Sequence, residues 1–229
     1  MKDRYLKNRS MISEEEQRVL ENSKVCVIGC GGLGGYVVEL LARLGIGYIT
    51  VVDGDSFDQT NLNRQLISLE SNLGEQKASE AKNRIALVNS EVTVNAITKF
   101  ITEENALEIV KEHDLVIDAL DNIKTRKMIQ KFVKKLKIPL IHGAIAGWYG
   151  QVCTILPGDD SLNYLYKGDR SHGEEKRLGN PSYTPALIAS IQVSEATKVL
   201  LGKGELIRKE VLYIDLLVGD VQKIPLQIK

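Results

Sequence analysis

The stretch Val25-Cys26-Val27-Ile28-Gly29-Cys30-Gly31-Gly32-Leu33-Gly34-Gly35 constrains this chain most, because an apolar run ends in glycines that open a helical pattern. It reads as a strand, a tight turn and a helix N-terminus. Gly29-x-Gly31-x-x-Gly34 fits the dinucleotide fingerprint, whose glycines permit the turn and let backbone N–H groups approach a phosphate at the positive end of the helix dipole. Downstream, Tyr36 to Leu44 is apolar around most of its circumference and stops at Gly45, as a buried helix does. The following strand, Tyr48 to Val52, ends at Asp53, at about the 20-residue offset from the glycines where an acidic residue meets ribose hydroxyls.

Around this unit the chain alternates strands and helices. Met1 to Asn22 is polar, and Ser13-Glu14-Glu15-Glu16 predicts a capping box opening a helix over Glu14 to Glu21. Asp55 to Leu73 reads as a loop or broken helix, Gly74 to Asn89 as a helix and Val92 to Ile97 as a strand. Glu103 to Glu112 reads as a helix capped by Thr102. Asp114 to Asn122 is a buried strand emptying into two carboxylates and an amide. Lys124 to Lys137 is a helix with a solvated basic face opposite Met128, Ile129, Phe132, Val133 and Leu136, and Pro139 to Gly143 restarts the sheet. From Gly147 the pattern changes. Gly150 to Pro157 is a strand without a crossover helix, and Gly158 to Ser182 is a long, mobile loop. A helix over Thr184 to Leu201 and strands near Val211 to Leu217 and Val221 to Leu226 follow. The expected fold is α/β: a Rossmann-like, mostly parallel sheet flanked by helices, with antiparallel strands added in the C-terminal part. One domain accounts for residues 1–229, with an N-terminal arm and helix over 1–22 and the mobile loop over 158–182.

Lys and Arg together number 30 and so do Asp and Glu, so no net field recruits nucleic acid or a membrane. No apolar run reaches the roughly 20 residues of a membrane span, and the start lacks a leader, which points to the cytoplasm. Cys26, Cys30 and Cys153 form no C-x-x-C pair and read as core or tight-loop residues. His142 reads as a core histidine, and His113 and His172 as surface positions. Four polar positions stand out as chemistry: Asp53, Arg64, Lys77 and Asp121. Arg64 and Lys77 suit phosphate oxygens, and Asp121 suits Mg²⁺. Asp118 reads as a structural hydrogen-bond acceptor, and Lys77, taken alone, as a solvated helix lysine. This inventory serves polyphosphate chemistry better than hydride transfer.

Five stretches carry a resemblance: Gly29-Cys30-Gly31-Gly32-Leu33-Gly34, Asp53-Gly54-Asp55, Asn61-Leu62-Asn63-Arg64-Gln65, Gln76-Lys77-Ala78 and Asp118-Ala119-Leu120-Asp121-Asn122. In order and spacing they resemble the ThiF/MoeB/HesA family, relatives of the ubiquitin-activating enzymes. The resemblance implies ATP- and Mg²⁺-dependent adenylation of the C-terminal glycine of a small ubiquitin-like sulfur-carrier protein ending in Gly-Gly, by a homodimer. It implies Arg64, Lys77 and Asp121 as catalytic residues, with Asp121 on the metal. Gly29, Gly31, Gly32, Gly34, Asp53, Asn61, Arg64, Gln65 and Lys77 would hold the nucleotide, Asp53 at the ribose. The two C-x-x-C pairs with which many relatives bind zinc have no counterpart here, so a HesA-like member without zinc is expected. Residues 158–182 also lack the cysteine that some relatives carry there. The family's N-terminal Arg-Tyr-x-Arg, whose last arginine can reach the neighbouring subunit's ATP, stands here as Arg4-Tyr5-Leu6-Lys7. Either Lys7 or Arg9 could take that role. Two rival readings are an NAD-dependent oxidoreductase and a non-catalytic ATP-binding scaffold of the same family.

Overall fold

The computed structural model describes residues 1–168, 173 and 175–226. Its strands are β1 (Lys24–Ile28), β2 (Tyr48–Val52), β3 (Thr93–Ile97), β4 (Leu115–Asp118), β5 (Leu140–Ala146), β6 (Tyr149–Ile155), β7 (Glu210–Asp215) and β8 (Asp220–Pro225). Its helices are α1 (Glu14–Asn22), α2 (Gly32–Leu44), α3 (Lys77–Val88), α4 (Ala106–Val110), α5 (Ile123–Leu136), α6 (Ser161–Leu165), α7 (Glu175–Leu178) and α8 (Tyr183–Leu201). The strands form one sheet in the order β3-β2-β1-β4-β5-β6-β7-β8, parallel through β5 and antiparallel beyond it.

The period of two along a strand builds both layers. On β1, Val25 and Val27 face a core completed by Val37, Leu41, Ala81, Ile85 and Ile188, from α2, α3 and α8. Cys26 and Ile28 face the opposite way, into a core completed by Ala106, Ile129, Val133 and Leu162, from α4, α5 and α6. All three cysteines are buried and free. The capping box on α1 forms as the sequence predicts: Ser13 Oγ accepts from Glu16 N at 3.2 Å, and Glu16 Oε2 accepts from Ser13 N at 2.8 Å. Gly45 ends α2 in the left-handed conformation, with φ 93°.

Four expectations need correction. The helix expected over Glu103 to Glu112 shrinks to α4, and Asn105 stands at its N-cap in place of Thr102. Asn105 is drawn backward, accepting from Thr102 N at 2.8 Å and donating to Phe100 O at 2.9 Å, so the residues before it stay in a turn. Second, the loop expected over Gly158 to Ser182 carries α6 and α7. Leu162 is fully buried, and its N–H donates to Gln130 Oε1 at 2.8 Å, which anchors α6 to α5. Third, the basic face of α5 is solvated at Lys124, Lys131, Lys135 and Lys137, but Arg126 turns inward and is only 5% exposed. Fourth, His113 is half-buried, its Nε2 2.8 Å from Thr50 Oγ1. His172 lies outside the described residues.

Candidate active site

In an open α/β sheet, ligands bind beyond the carboxyl ends of the strands where the strand order reverses. Here that point lies between β1 and β4. A cavity of about 630 Å³ opens there, lined by the residues that follow β1, β2, β3 and β4 and by the stretch between Asp55 and Lys77. Its size falls in the ordinary range for a small-molecule site.

The glycines divide into two pairs with different reasons. Gly29 has φ +95°, and a Cβ there would meet Ala119 O at 2.6 Å; a Cβ on Gly34 would overlap Gly29 O. These two serve the close packing of turn, helix and strand. A Cβ on Gly31 or Gly32 would make only ordinary contacts, at 3.6 Å to Gln65 Nε2 and 3.8 Å to Pro185 Cβ. No protein contact requires those two glycines, yet both line the cavity at the start of α2, where unpaired helical N–H groups attract an anion. Bare backbone at that place suits a phosphate better than it suits packing.

Asp53 ties the turn to β2: its Oδ2 accepts from Cys30 N at 2.6 Å and its Oδ1 from Asp55 N at 2.8 Å. Burial dominates its titration and pushes the carboxyl up, with the Asp55 and Cys30 amides pulling it partly back. Asn61 is buried, and its Oδ1 accepts from Asp58 N at 3.2 Å. Arg64 Nη1 donates to Thr60 O at 2.8 Å and Asn63 Oδ1 at 2.9 Å, which fixes the plane of the guanidinium at the cavity wall. The buried Gln65 Oε1 has no hydrogen-bond partner among the described residues, beside the bare Gly31. Lys77 is 6% exposed, so it is no solvated helix lysine; its Nζ lies 3.3 Å from Asp55 Oδ2. A buried ammonium needs anions to offset its lost hydration, and Asp55 supplies one at the cavity wall.

Asp121 lines the same cavity and is exposed, with no hydrogen bond or ion pair among the described residues. Asp118 points elsewhere. Fully buried, it accepts from Leu120 N at 3.0 Å and pairs with His142 Nδ1 at 2.7 Å, the structural role expected of it. Burial is the main influence on His142 and lowers its pKa, Asp118 opposing, so the imidazole is a neutral, satisfied core group. Burial likewise pushes the thiol of Cys26 up to about 12 and raises those of Cys30 and Cys153 further, which removes all three as nucleophiles. Among the described residues, no three His, Cys, Asp or Glu side chains gather as a metal-holding group. No helix among them is long and apolar enough to cross a membrane.

Gly29, Gly31, Gly32, Asp53, Asn61, Arg64, Gln65, Lys77 and Asp121 therefore meet at one cavity, with Gly34 packed behind it. Lys7 and Arg9 do not. The turn that carries Lys7 is anchored by Tyr5, whose hydroxyl accepts from Asn89 Nδ2 at 2.8 Å beside Gly45, at the far end of α2. Thirteen helical residues separate that end from the glycine turn, about 20 Å. Sequence reading missed Lys99, Phe100, Leu120 and Arg126, all of which line the cavity. The first three follow the ends of β3 and β4, so the strand-end rule could have found them; Arg126 was hidden within a basic helix.

A second cavity of about 510 Å³ adjoins the first, sharing Arg126 and Ile145 with it. Its wall includes Tyr149, Tyr166, Tyr213 and Leu165, over β5 to β7.

The ThiF family pattern matches residues 4–229. The sulfur carrier protein adenylyltransferase of Thermus thermophilus is 35% identical over 235 residues, spanning 97% of this chain and 86% of its own. The tRNA threonylcarbamoyladenosine dehydratase of Haemophilus influenzae is 43% identical over 133 residues, but these span 58% of this chain and 50% of its own. Among solved structures, E. coli MccB with MccA superimposes with a TM-score of 0.82 at 22% identity. That match covers 93% of this chain and 66% of that one, a likeness of fold alone.

Proposed function

Because the chain belongs to the ThiF family, we propose that it is an ATP-dependent adenylyltransferase that activates the C-terminal glycine of a small ubiquitin-like sulfur carrier protein. The observation that carries the reading is the pairing of cavities: one with bare glycines and buried or fixed cations, the other lined by aromatic and aliphatic side chains with Lys167 and Arg177 among them, meeting at a shared wall. The first suits ATP and the second an extended Gly-Gly tail.

The chemistry follows from bringing two anions together. A carboxylate oxygen of the carrier attacks the α-phosphorus; a P–O bond forms there as the bond to the β-phosphate breaks, and pyrophosphate leaves with the electron pair. The products are an acyl adenylate and pyrophosphate. No general base is needed, since the carboxylate is ionised at neutral pH. Arg64 and Lys77 hold phosphate oxygens and stabilise the charge that develops on them, the arginine by its planar fork and the lysine as a desolvated point charge. The α2 N-terminus cradles phosphate at Gly31 and Gly32, and Asp53 accepts from the ribose hydroxyls. The donor set fits Mg²⁺, which takes one or two carboxylates plus phosphates and water, with Asp121 as its carboxylate. When bound, the ion would neutralise the charge of the departing pyrophosphate. Lys7 and Arg9 do not line this chain's own cavity, so a role for either at a nucleotide would be played at the site of a homodimer partner. We place the enzyme in the cytoplasm.

Hydride transfer would leave Arg64, Lys77 and Asp121 without a task, which disfavours the NAD-dependent oxidoreductase. A non-catalytic scaffold would bind ATP without turnover. Exchange of labelled pyrophosphate into ATP tests the reading, because it requires the adenylate to form reversibly.

The raised titration of Asp53 makes a pH-dependent expectation. A carboxylate must be ionised to accept two hydroxyl protons, so ATP affinity should begin to fall on acidification at a pH above that at which an ordinary aspartate titrates. The sign for folding is opposite: the folded state takes this proton more readily than the unfolded one, so acidification through that range adds stability through this group. Calorimetric ATP affinity measured from pH 7 downward should therefore weaken without a matching loss of Tm. Asp53→Asn should bind weakly with a flatter profile. Parallel profiles for the two proteins would remove Asp53 from the ribose.

A further inference from the structure

The two cavities meet at Arg126, the one cation among the described residues that lines both. Its Nη2 donates to Leu120 O and its Nη1 to the Tyr166 hydroxyl at 2.8 Å, while its Nε lies 3.6 Å from Asp118 Oδ2. The guanidinium also lies 5.6 Å from the centre of the Tyr166 ring.

Hydrogen-bond bookkeeping then fixes the Tyr166 hydroxyl. Its oxygen accepts from Arg126 Nη1 and from Gln151 Nε2, both at 2.8 Å. Neither donor can take a proton back, so the hydroxyl hydrogen goes to His142 Nε2 at 3.0 Å. His142 then carries its own proton on Nδ1 and gives it to Asp118 Oδ2 at 2.7 Å. Asp118 and His142 are both fully buried, so this chain is shielded from solvent and anchored in β4 and β5. Tyr166 itself follows α6, in the segment that walls the second cavity.

We propose that Tyr166 is a positioning residue whose hydroxyl holds the Arg126 guanidinium at the junction of the cavities, where it receives the C-terminal carboxylate of the carrier and presents it to the α-phosphate. This rests on the adenylation reading above. A carboxylate that passes from the second cavity, whose wall also carries Lys167 and Arg177, into a phosphate site meets repulsion from the phosphates at the crossing point, and a fixed, desolvated guanidinium is the group whose fork matches a carboxylate there. Arg64 and Lys77 line only the first cavity, where the adenylation reading puts the phosphates. Holding Arg126 in place spares the ordering that a mobile arginine would undergo at each encounter.

The test is steady-state pyrophosphate exchange with a Gly-Gly carrier that supports exchange in the wild type, measured for Tyr166→Phe, Arg126→Lys and the double variant. Tyr166→Phe keeps the ring and should lower kcat/KM for the carrier about ten-fold while ATP affinity stays within about two-fold. Arg126→Lys should cost about 100-fold, and adding Tyr166→Phe to it should cost nothing more, since the hydroxyl acts through the guanidinium. A thermal melt confirms folding of each. Losses that multiply in the double variant, equal losses in ATP affinity, or an unchanged kcat/KM in Tyr166→Phe would overturn the proposal. No exchange in the wild type with any such carrier would overturn the adenylation reading itself, and this proposal with it.

Discussion

Replacing Lys77 with alanine is expected to reduce pyrophosphate exchange by about 100-fold to 1,000-fold, the range seen when one preorganised group stabilising a transition state is removed. Lys77 is suited to so large an effect because it is buried at the first turn of α3, where the surrounding protein screens its charge less than water would. Its neighbour Asp55 is more than half exposed, so losing the 3.3 Å pair leaves that carboxylate in water at little cost to stability. Lys77→Ala should accordingly unfold within a few degrees of the wild type. Normal exchange in the folded variant would remove Lys77 from the reaction; a loss of exchange with unchanged ATP affinity would place its contribution in the transition state.

The glycine turn yields the second large effect, and here the two pairs of glycines should separate. Gly34→Ala drives a methyl group into the Gly29 carbonyl, backbone against backbone, with no flexible side chain to give way. The expected cost is about 3 kcal/mol or more, at the upper end of overpacking, and is read as a lowered midpoint in chemical denaturation. Gly31→Ala meets only Gln65 at 3.6 Å, so it should fold with near-normal stability and lose affinity for ATP, because the methyl occupies phosphate space. Equal destabilisation by both would mean that Gly31 is a packing glycine, and the cradle would lose its main structural support.

The fold was largely legible because its determinants are local and periodic. The apolar run Val25 to Ile28 marked β1, Gly45 stopped α2, and Tyr48 to Val52 is a strand over the range expected. The candidate site was legible wherever a strand end or an ordered motif marked it, as at Asp53 and Asp121. Adjacency along the chain misled in places where geometry divides neighbours. Asp118 and Asp121 are three residues apart, yet one is sealed against His142 and the other opens to the cavity. Arg126 looked like one more charge on a basic helix face, because a periodic pattern does not say which polar residue turns inward to meet Tyr166, 40 residues away. Thr102 failed as a cap because Asn105 competed for the same turn through its own side chain.

The most direct test of the account is exchange of labelled pyrophosphate into ATP by the purified chain, with Mg²⁺ and a panel of ubiquitin-like carriers ending in Gly-Gly. Two controls accompany it: the same carriers shortened by the terminal glycine, and the threonylcarbamoyladenosine-bearing tRNA suggested by the Haemophilus influenzae relative. The expected result is carrier-dependent exchange with at least one intact carrier, none with its shortened form, and none when NAD replaces ATP. Binding of ATP with no exchange for any intact carrier, or exchange supported by the tRNA alone, would contradict the assignment of this site to carrier adenylation.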